Sequence, residues 1–319
     1  MKAIRIHNFG GTENLKIDEI DKPSAAADEV VIKVAAAGVN FADTMLRQNK
    51  YLFTPDLPFT LGFEVAGTIE AAGENVKYLS VGQRVLATIR GGGYAEYAVA
   101  DVQTVVPIPE NLGFGEATAL LVQGLTALGL IANLKAGQSI LVHAAAGGVG
   151  SLLVQLAKLR GAKVIGTASS AEKLEKVAAL GADVGINYTE DDWTQQVLQA
   201  TDQQGADLII EMVGGELGRR NFECLAVKGT IAIYGAASGE DFNISALSLL
   251  GKMQTARGYN LNLETRENMV KFTTELMGYI ATDQLKIFVT KFPLEQAAAA
   301  HDAIENRQTT GKVVLTTST

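Results

Sequence analysis

Two hydrophobic rhythms divide the chain. Through residues 1–110, short runs rich in Val and Ile recur: Lys2 to Ile6, Glu29 to Ala36, Glu64 to Ala71 and Arg84 to Ile89. Turn residues part them: Gly10-Gly11, Lys22-Pro23, Gly73-Glu74-Asn75 and Gly91-Gly92-Gly93. Short strands at that density predict a compact β-barrel-like domain. The helix expected inside it runs from Phe41 to Gln48, with Asn40 in the N-cap position. Asp43 and Arg47, four apart, are expected to pair on its surface. Past Pro107, Pro109 and Gly113 the rhythm becomes strand–helix alternation. Helix is expected from Phe114 towards Leu134. Strands then follow at Ser139 to Ala144, Lys163 to Ala168, Val184 to Tyr188, Asp207 to Val213, Thr230 to Tyr234 and Thr255 to Tyr259, with helices between them. This order predicts an α/β architecture with a doubly wound parallel sheet. After Leu263 the pattern gives helix (Arg266 to Thr282), strand (Lys286 to Pro293), helix (Leu294 to Arg307) and strand (Lys312 to Thr316). So short a tail cannot bury a core of its own and is expected to pack back on the first domain.

The most informative stretch is SILVHAAAGGVGSLLVQLAKLR, residues 139–160. An apolar run with β-branched Ile140 and Val142 suits a strand buried on both faces. Leu152, Leu153, Leu156, Ala157 and Leu159 then recur at helical spacing. Between them lies Ala144-x-x-Gly147-x-x-Gly150, a variant of the dinucleotide fingerprint. Glycines let the backbone turn tightly and approach a pyrophosphate, and the N–H groups opening the helix face its charge.

Composition narrows the classes. At 319 residues the length suggests two domains. Hydrophobic residues are 47% and charged residues 19%, ordinary for a globular chain. One cysteine, Cys224, excludes an intramolecular disulfide and points to a reducing, cytoplasmic setting. No secretory signal pattern opens the chain. Polar residues interrupt its most apolar long stretch, Ala117 to Leu134, so no membrane span is expected. The net charge of −8, without Lys/Arg runs, argues against a nucleic-acid partner. His7, His143, His301 and Cys224 are scattered and suggest no metal site.

An NAD site needs an acid at the tip of the second strand to take the ribose hydroxyl. Here that strand ends Gly166-Thr167-Ala168-Ser169-Ser170, without Asp or Glu. Lys173 follows, in a first helical turn where the helix dipole disfavours a cation. A 2′-phosphate accounts for it, and the coenzyme expected is NADPH. A solvated lysine beside Glu172 is the plainer alternative.

Several motifs together carry a resemblance: Gly38-Val39-Asn40-Phe41-Ala42-Asp43, Leu61-Gly62-Phe63-Glu64-Val65-Ala66-Gly67, Gly82-Gln83-Arg84-Val85, Gly93-Tyr94-Ala95-Glu96-Tyr97, Gly124-Leu125-Thr126-Ala127, the Ala144 to Gly150 fingerprint, and Arg307 with Gly311-Lys312-Val313-Val314. Over essentially its whole length the chain resembles the medium-chain dehydrogenases/reductases. Within them it is similar to the zinc-independent quinone oxidoreductases, the ζ-crystallin-like group. The resemblance implies a GroES-like substrate and catalytic domain at 1–118, a Rossmann NADP-binding domain at 119–260, and a return to the catalytic domain at 261–319.

It also implies site residues. Zinc-dependent relatives have Cys and His where this chain has Asn40 and Phe63, so no metal is expected. Asn40 and Thr126 match positions near the nicotinamide. Ala144, Gly147, Gly148, Val149 and Gly150 form the pyrophosphate turn, and Ser169, at the tip of the second strand, is a further coenzyme-binding residue. Lys173, Tyr188 and Arg307 match positions that hold the adenosine phosphate. Val213 and Gly214, and Tyr234 and Gly235, end strands that border the coenzyme. Tyr51 is a candidate proton donor in a pocket-lining segment, and Met45 stands where many similar enzymes have tyrosine. Glu64 reads as a structural carboxylate. The implied activity is NADPH-dependent hydride transfer to a quinone, with dimers formed through the sixth strand. The alternatives are an enoyl-thioester or enone reductase, including one cut from a polyketide synthase, and a non-enzymatic crystallin-like protein that keeps the coenzyme site.

Overall fold

The computed structural model describes residues 1–317. The chain opens with β1 (Lys2–Ile6), β2 (Leu15–Glu19) and β3 (Glu29–Val39), followed by helix α1 (Phe41–Arg47). β4 (Phe59–Thr60), β5 (Glu64–Ala72), β6 (Arg84–Thr88), β7 (Tyr97–Asp101), β8 (Val105–Pro107) and α2 (Phe114–Ala119) come next. A π turn, Leu120–Gly124, leads into α3 (Leu125–Leu130). The alternating region is β9 (Ser139–Val142), α4 (Gly148–Leu159), β10 (Lys163–Ala168), α5 (Ala171–Ala179), β11 (Val184–Asn187), α6 (Trp193–Ala200), β12 (Ala206–Glu211), α7 (Gly215–Cys224), β13 (Leu225–Ile233), α8 (Ala246–Lys252) and β14 (Thr255–Gly258). α9 (Arg266–Ala281), β15 (Val289–Pro293), α10 (Ala297–Glu305) and β16 (Lys312–Thr316) complete the described chain.

Two compact units result: Met1–Val122 with residues 287–317, and Gln123–Lys286. The first unit holds a small sheet, β2-β1-β4, and a larger sheet, β15-β16-β3-β5-β6-β8, with β7 also pairing to β3. Its core gathers Ile4, Ile6, Val30, Ile32, Val65, Ile69 and Val85. β16 runs antiparallel to β3, Val314 opposite Gly38, and Lys312 to Leu315 are all buried. That central place explains why the C-terminal strand is apolar without alternation.

The second unit is a six-stranded parallel sheet in the order β11-β10-β9-β12-β13-β14. In chain order this is 3-2-1-4-5-6, the doubly wound arrangement expected from the alternation. Leu141, Ile165, Ile209 and Ile231 from its four middle strands share one core cluster. The direction of winding reverses between β9 and β12, which opens a crevice at their carboxyl ends.

Two boundaries differ from expectation, the first unit running to Val122 rather than to residue 118. The return segment was expected to begin at residue 261, yet residues 261–286 pack within the second unit. α9 buries Phe272, Leu276 and Ile280, spaced four apart, and lies against α3. Arg160 pairs with Glu275 at 3.1 Å. The Gln155 amide clasps the Lys286 backbone, donating at 2.9 Å and accepting at 2.7 Å. Residues 318 and 319 of the expected segment lie outside the described chain.

Close backbone approach fixes the β3–β5 pairing. A Cβ on Gly67 would fall 2.0 Å from the Lys33 carbonyl oxygen. Gly67→Ala is expected to lower unfolding free energy by about 2 kcal/mol or more, read from urea denaturation.

Candidate active site

The coenzyme side is built on β9 and α4. Ala144, two residues past β9, stands in the left-handed region, φ 50°, costly for a residue with a side chain. Two hydrogen bonds hold it there. The Gly147 N–H donates to the Ala144 carbonyl at 2.8 Å, and the Ala145 N–H donates to the Thr167 carbonyl at 3.0 Å. α4 then starts at Gly148, with Gly147 as extended N-cap. A Cβ on Gly150 would lie 2.2 Å from the Ala144 oxygen, so the helix can pack this close only on glycine. The first N–H groups of α4 have no acceptor within the helix and point outward from a dipole's positive end. These features fit a pyrophosphate.

Topology gathers most of the other expected coenzyme residues on the same edge of this sheet. Ser169 follows β10, Tyr188 follows β11, Val213 and Gly214 follow β12, and Tyr234 and Gly235 follow β13. Tyr188 donates its N–H to the Ala168 carbonyl at 3.2 Å, which fixes its Cα beside the tip of β10. Lys173 lies in the first turn of α5, whose N-cap Ser170 accepts the Lys173 N–H at 3.4 Å. Thr126 is buried in α3. Asn40, Tyr51 and Arg307 belong to the first unit. Arg307 lies just past α10 rather than within it, exposed and left-handed, φ 56°.

In the first unit, Asn40 is held at every polar end. Its N–H donates to Asp43 at 2.7 Å, its Nδ2 to Glu64 at 2.8 Å, and its Oδ1 accepts from Lys312 Nζ at 2.9 Å. Lys312 also pairs with Glu64 and donates to the Val39 carbonyl at 3.3 Å. Both charged side chains are buried. Glu64 accepts the Val122 N–H at 3.3 Å on its other oxygen. A buried pair survives only when its remaining donors and acceptors are met, as here. Nothing in the spacing of residues 64 and 312 announces this cluster. The signal available was a lysine heading an otherwise apolar strand.

The expected surface pair of Asp43 with Arg47 does not form. α1 buries both residues, and Arg47 pairs instead with Glu305, which also accepts from Gln48 Nε2 at 2.6 Å. Asp43 turns inward, accepting the N–H groups of Asn40 and Gly62. Burial pushes its carboxyl up to about 7, against the lowering effect of the Asn40 N–H and of Lys312. Tyr94, also buried, contacts His301 Nε2 at 3.1 Å, and burial lowers His301 to about 3. Tyr51 is half-buried, its ring edge-on to Phe53 at 5.7 Å. Phe53 meets Phe63 at 6.4 Å. Burial and the Asp43 charge raise the Tyr51 hydroxyl, so it stays protonated at neutral pH.

Comparison with known proteins agrees with this geometry. Residues 26–110 match the alcohol dehydrogenase GroES-like domain, and residues 148–275 match the family described as zinc-binding dehydrogenase. A quinone oxidoreductase of Mus musculus is 35% identical, covering 99% of this chain and 97% of its own. The chain belongs to the medium-chain dehydrogenase/reductase superfamily, among the quinone oxidoreductases. A solved Escherichia coli quinone oxidoreductase, complexed with NADPH, superposes with a TM-score of 0.93 at 31% identity over 99% of this chain and 100% of that one. The CurK enoyl reductase gives 0.89 at 27% identity, covering 99% of each chain. The chain is thus an oxidoreductase of the quinone oxidoreductase type. No helix among the described residues is long and apolar enough to cross a membrane.

The donor set tests the metal that one family description implies. An amide at 40 and a phenyl ring at 63 do not supply the thiolate and imidazole that zinc prefers. The Asn40 and Glu64 oxygens already carry an ammonium cation. These residues do not fit a dication.

Asp43 gives a pH signature. Its native pKa, about 7, exceeds the carboxyl's usual value, so the native state holds a proton that the unfolded chain releases near pH 4. That stabilisation is fully present below about pH 4 and lost as pH rises to 7. The unfolding free energy of the wild type, minus that of Asp43→Asn, should fall by about 1 kcal/mol per pH unit between pH 5 and 7 and level off above. Urea titrations across that range check it.

Proposed function

We propose that the protein reduces quinones with NADPH by direct hydride transfer, without a metal ion. The observation that carries this reading is the β9–α4 turn. Left-handed Ala144 and side-chain-free Gly150 present the helix N-terminus to an anionic group at the sheet's switch point. The relative solved with NADPH supports the choice of coenzyme. So does the tip of β10, which ends without a carboxylate and is followed by Lys173.

The residues would divide the work as follows. The backbone of Gly147, Gly148, Val149 and Gly150 holds the pyrophosphate. Lys173, Tyr188 and Arg307 take the adenosine phosphate, and a cation there favours NADPH over NADH. Val213, Gly214, Tyr234 and Gly235 border the coenzyme with backbone. When bound, the coenzyme supplies the hydride. Asn40 and Thr126 orient its reactive end; Asn40 is fixed for that task by Lys312, Glu64 and Asp43. Tyr51 keeps its proton at neutral pH and can donate it to a developing oxyanion. An electron-poor quinone accepts hydride without the polarisation a zinc ion would give an alcohol.

Enoyl-thioester reduction is the second reading. The likeness to CurK enoyl reductase and the aromatic cluster Tyr51, Phe53, Phe59 and Phe63 favour it. Rates with a quinone panel against crotonyl thioesters discriminate between the two. Purified protein that binds NADPH yet reduces neither class would support the crystallin-like reading. We assign the protein to the cytoplasm, in keeping with its single buried thiol. A homodimer is expected through β14, which pairs with β13 on one side and forms an edge of the sheet. Sedimentation at twice the chain mass checks it.

Two kinetic outcomes follow. Lys173→Ala should raise KM for NADPH about tenfold and leave that for NADH within about twofold, a loss of one charged contact. Dialysis against a chelator should leave quinone reduction unchanged, with no stoichiometric zinc by elemental analysis.

A further inference from the structure

Beneath the crevice of the second unit runs a chain of four side chains, each with no measurable exposure: Thr167, His143, Asn221 and Glu211. Thr167 comes from β10, His143 from the residue after β9, Asn221 from α7 and Glu211 from the end of β12. His143 Nδ1 meets Thr167 Oγ1 at 2.9 Å, and His143 Nε2 meets Asn221 Oδ1 at 2.7 Å. Asn221 Nδ2 donates to Glu211 Oε2. The other Glu211 oxygen accepts two backbone N–H groups, from Val213 and from Gly214, the latter at 2.7 Å. Trp193 closes the side, its ring edge-on to His143 at 5.4 Å.

The order of donors follows from chemistry. An ionised carboxylate accepts only, so Asn221 must turn its NH2 towards Glu211 and its carbonyl towards His143. His143 Nε2 therefore carries the proton. In the neutral imidazole Nδ1 is then the acceptor, and the Thr167 hydroxyl donates to it. The chain runs one way, from Thr167 to Glu211, and ends on the backbone of the loop after β12.

Its two ends act on both banks of the crevice. At one end Thr167 also offers its carbonyl to the Ala145 N–H, inside the left-handed turn that follows His143 itself. At the other, Glu211 fixes Val213 and Gly214, and Gly214 stands at φ 79° before α7. The carboxyl end of β13 joins this bank through the Tyr234 N–H on the Glu211 carbonyl at 3.0 Å and the Ala237 N–H on the Met212 carbonyl at 2.8 Å. We infer that His143 is a positioning residue for the coenzyme: as the neutral Nε2–H tautomer it locks the Ala144 turn and the Val213–Gly214 loop at one separation. This rests on the dinucleotide reading of the crevice. His143 touches no coenzyme and acts through backbone on either side.

The experiment uses the full-length protein with 15N-labelled histidine and an NADPH fluorescence titration. The wild type should show His143 protonated at Nε2 alone. Glu211→Gln provides a donor where the carboxylate accepted, so the Asn221 amide must flip. His143 should then move its proton to Nδ1 and donate to Thr167. Thr167→Val, which keeps shape and backbone carbonyl, and His143→Leu should each weaken NADPH about tenfold. Ile231→Val trims the core of the same sheet and should lower Tm without changing the NADPH Kd. That contrast separates positioning from general loosening, and Thr167→Val serves if His143→Leu does not fold. A wild-type His143 protonated at Nδ1, or wild-type affinity in Thr167→Val or His143→Leu, overturns the inference. Wild-type protein that binds no NADPH refutes the dinucleotide reading instead, and the imidazole spectra then judge the hydrogen-bond order by themselves.

Discussion

The constraint on which the site depends is the close approach of Gly150 to the Ala144 carbonyl. A single methyl group at residue 150 would collide with that oxygen, so the start of α4 is pinned to the end of β9. The turn between them must reverse within a few residues, and it places Ala144 in a backbone region that costs an alanine about 1–2 kcal/mol. Such strain persists only where neighbours over-determine it. Here the neighbours are the Thr167 carbonyl, the Gly147 N–H and the buried strand itself. What the strain yields is a row of helix-opening N–H groups directed at the switch point. An anion there meets a preorganised site and needs no side chain to hold its charge.

Each unit contains a buried polar cluster, and the two differ in kind. In the first unit a cation and an anion, Lys312 and Glu64, share the amide of Asn40. Removing either partner would strand a charge in an apolar core, the most costly outcome for such a pair. A buried ion pair does little for stability over a hydrophobic replacement, so its value is the fixed orientation it gives Asn40. In the second unit the chain from Thr167 to Glu211 is a relay of hydrogen bonds that ends on a carboxylate. It acts by direction, since the donor at each step determines the next. Both clusters connect strands that are distant in sequence.

The sequence disclosed much of this and withheld the rest for definite reasons. β9, the glycine turn and α4 were legible because their signals are local: β-branched residues, a run of small side chains at a tight turn, and leucines at helical spacing. The parallel sheet was legible because alternation of strand and helix admits few topologies. β2 was not, since Leu15 to Glu19 alternates weakly and stays mostly accessible. α8 was missed because its seven residues are too few to show a helical period, and none of them is buried. α9 was recognised as a helix but placed with the wrong unit. Its stripe of Phe272, Leu276 and Ile280 says that one face is covered, and only packing says by which partner.

The same division runs through the site. By itself the sequence determined the residues that must bend or approach, Ala144 to Gly150, and the absence of a carboxylate at the tip of β10, because backbone conformation and strand ends depend on neighbours along the chain. It also determined that Asn40 and Phe63 are poor zinc ligands, because ligand chemistry belongs to the residue type. Only the tertiary structure decided that Asp43 faces inward, that Lys312 reaches Glu64 across 248 positions, and that His143 joins Asn221 across 78. Hydrogen bonds between buried groups form wherever folding brings donors to acceptors, and no periodicity along a chain records that meeting.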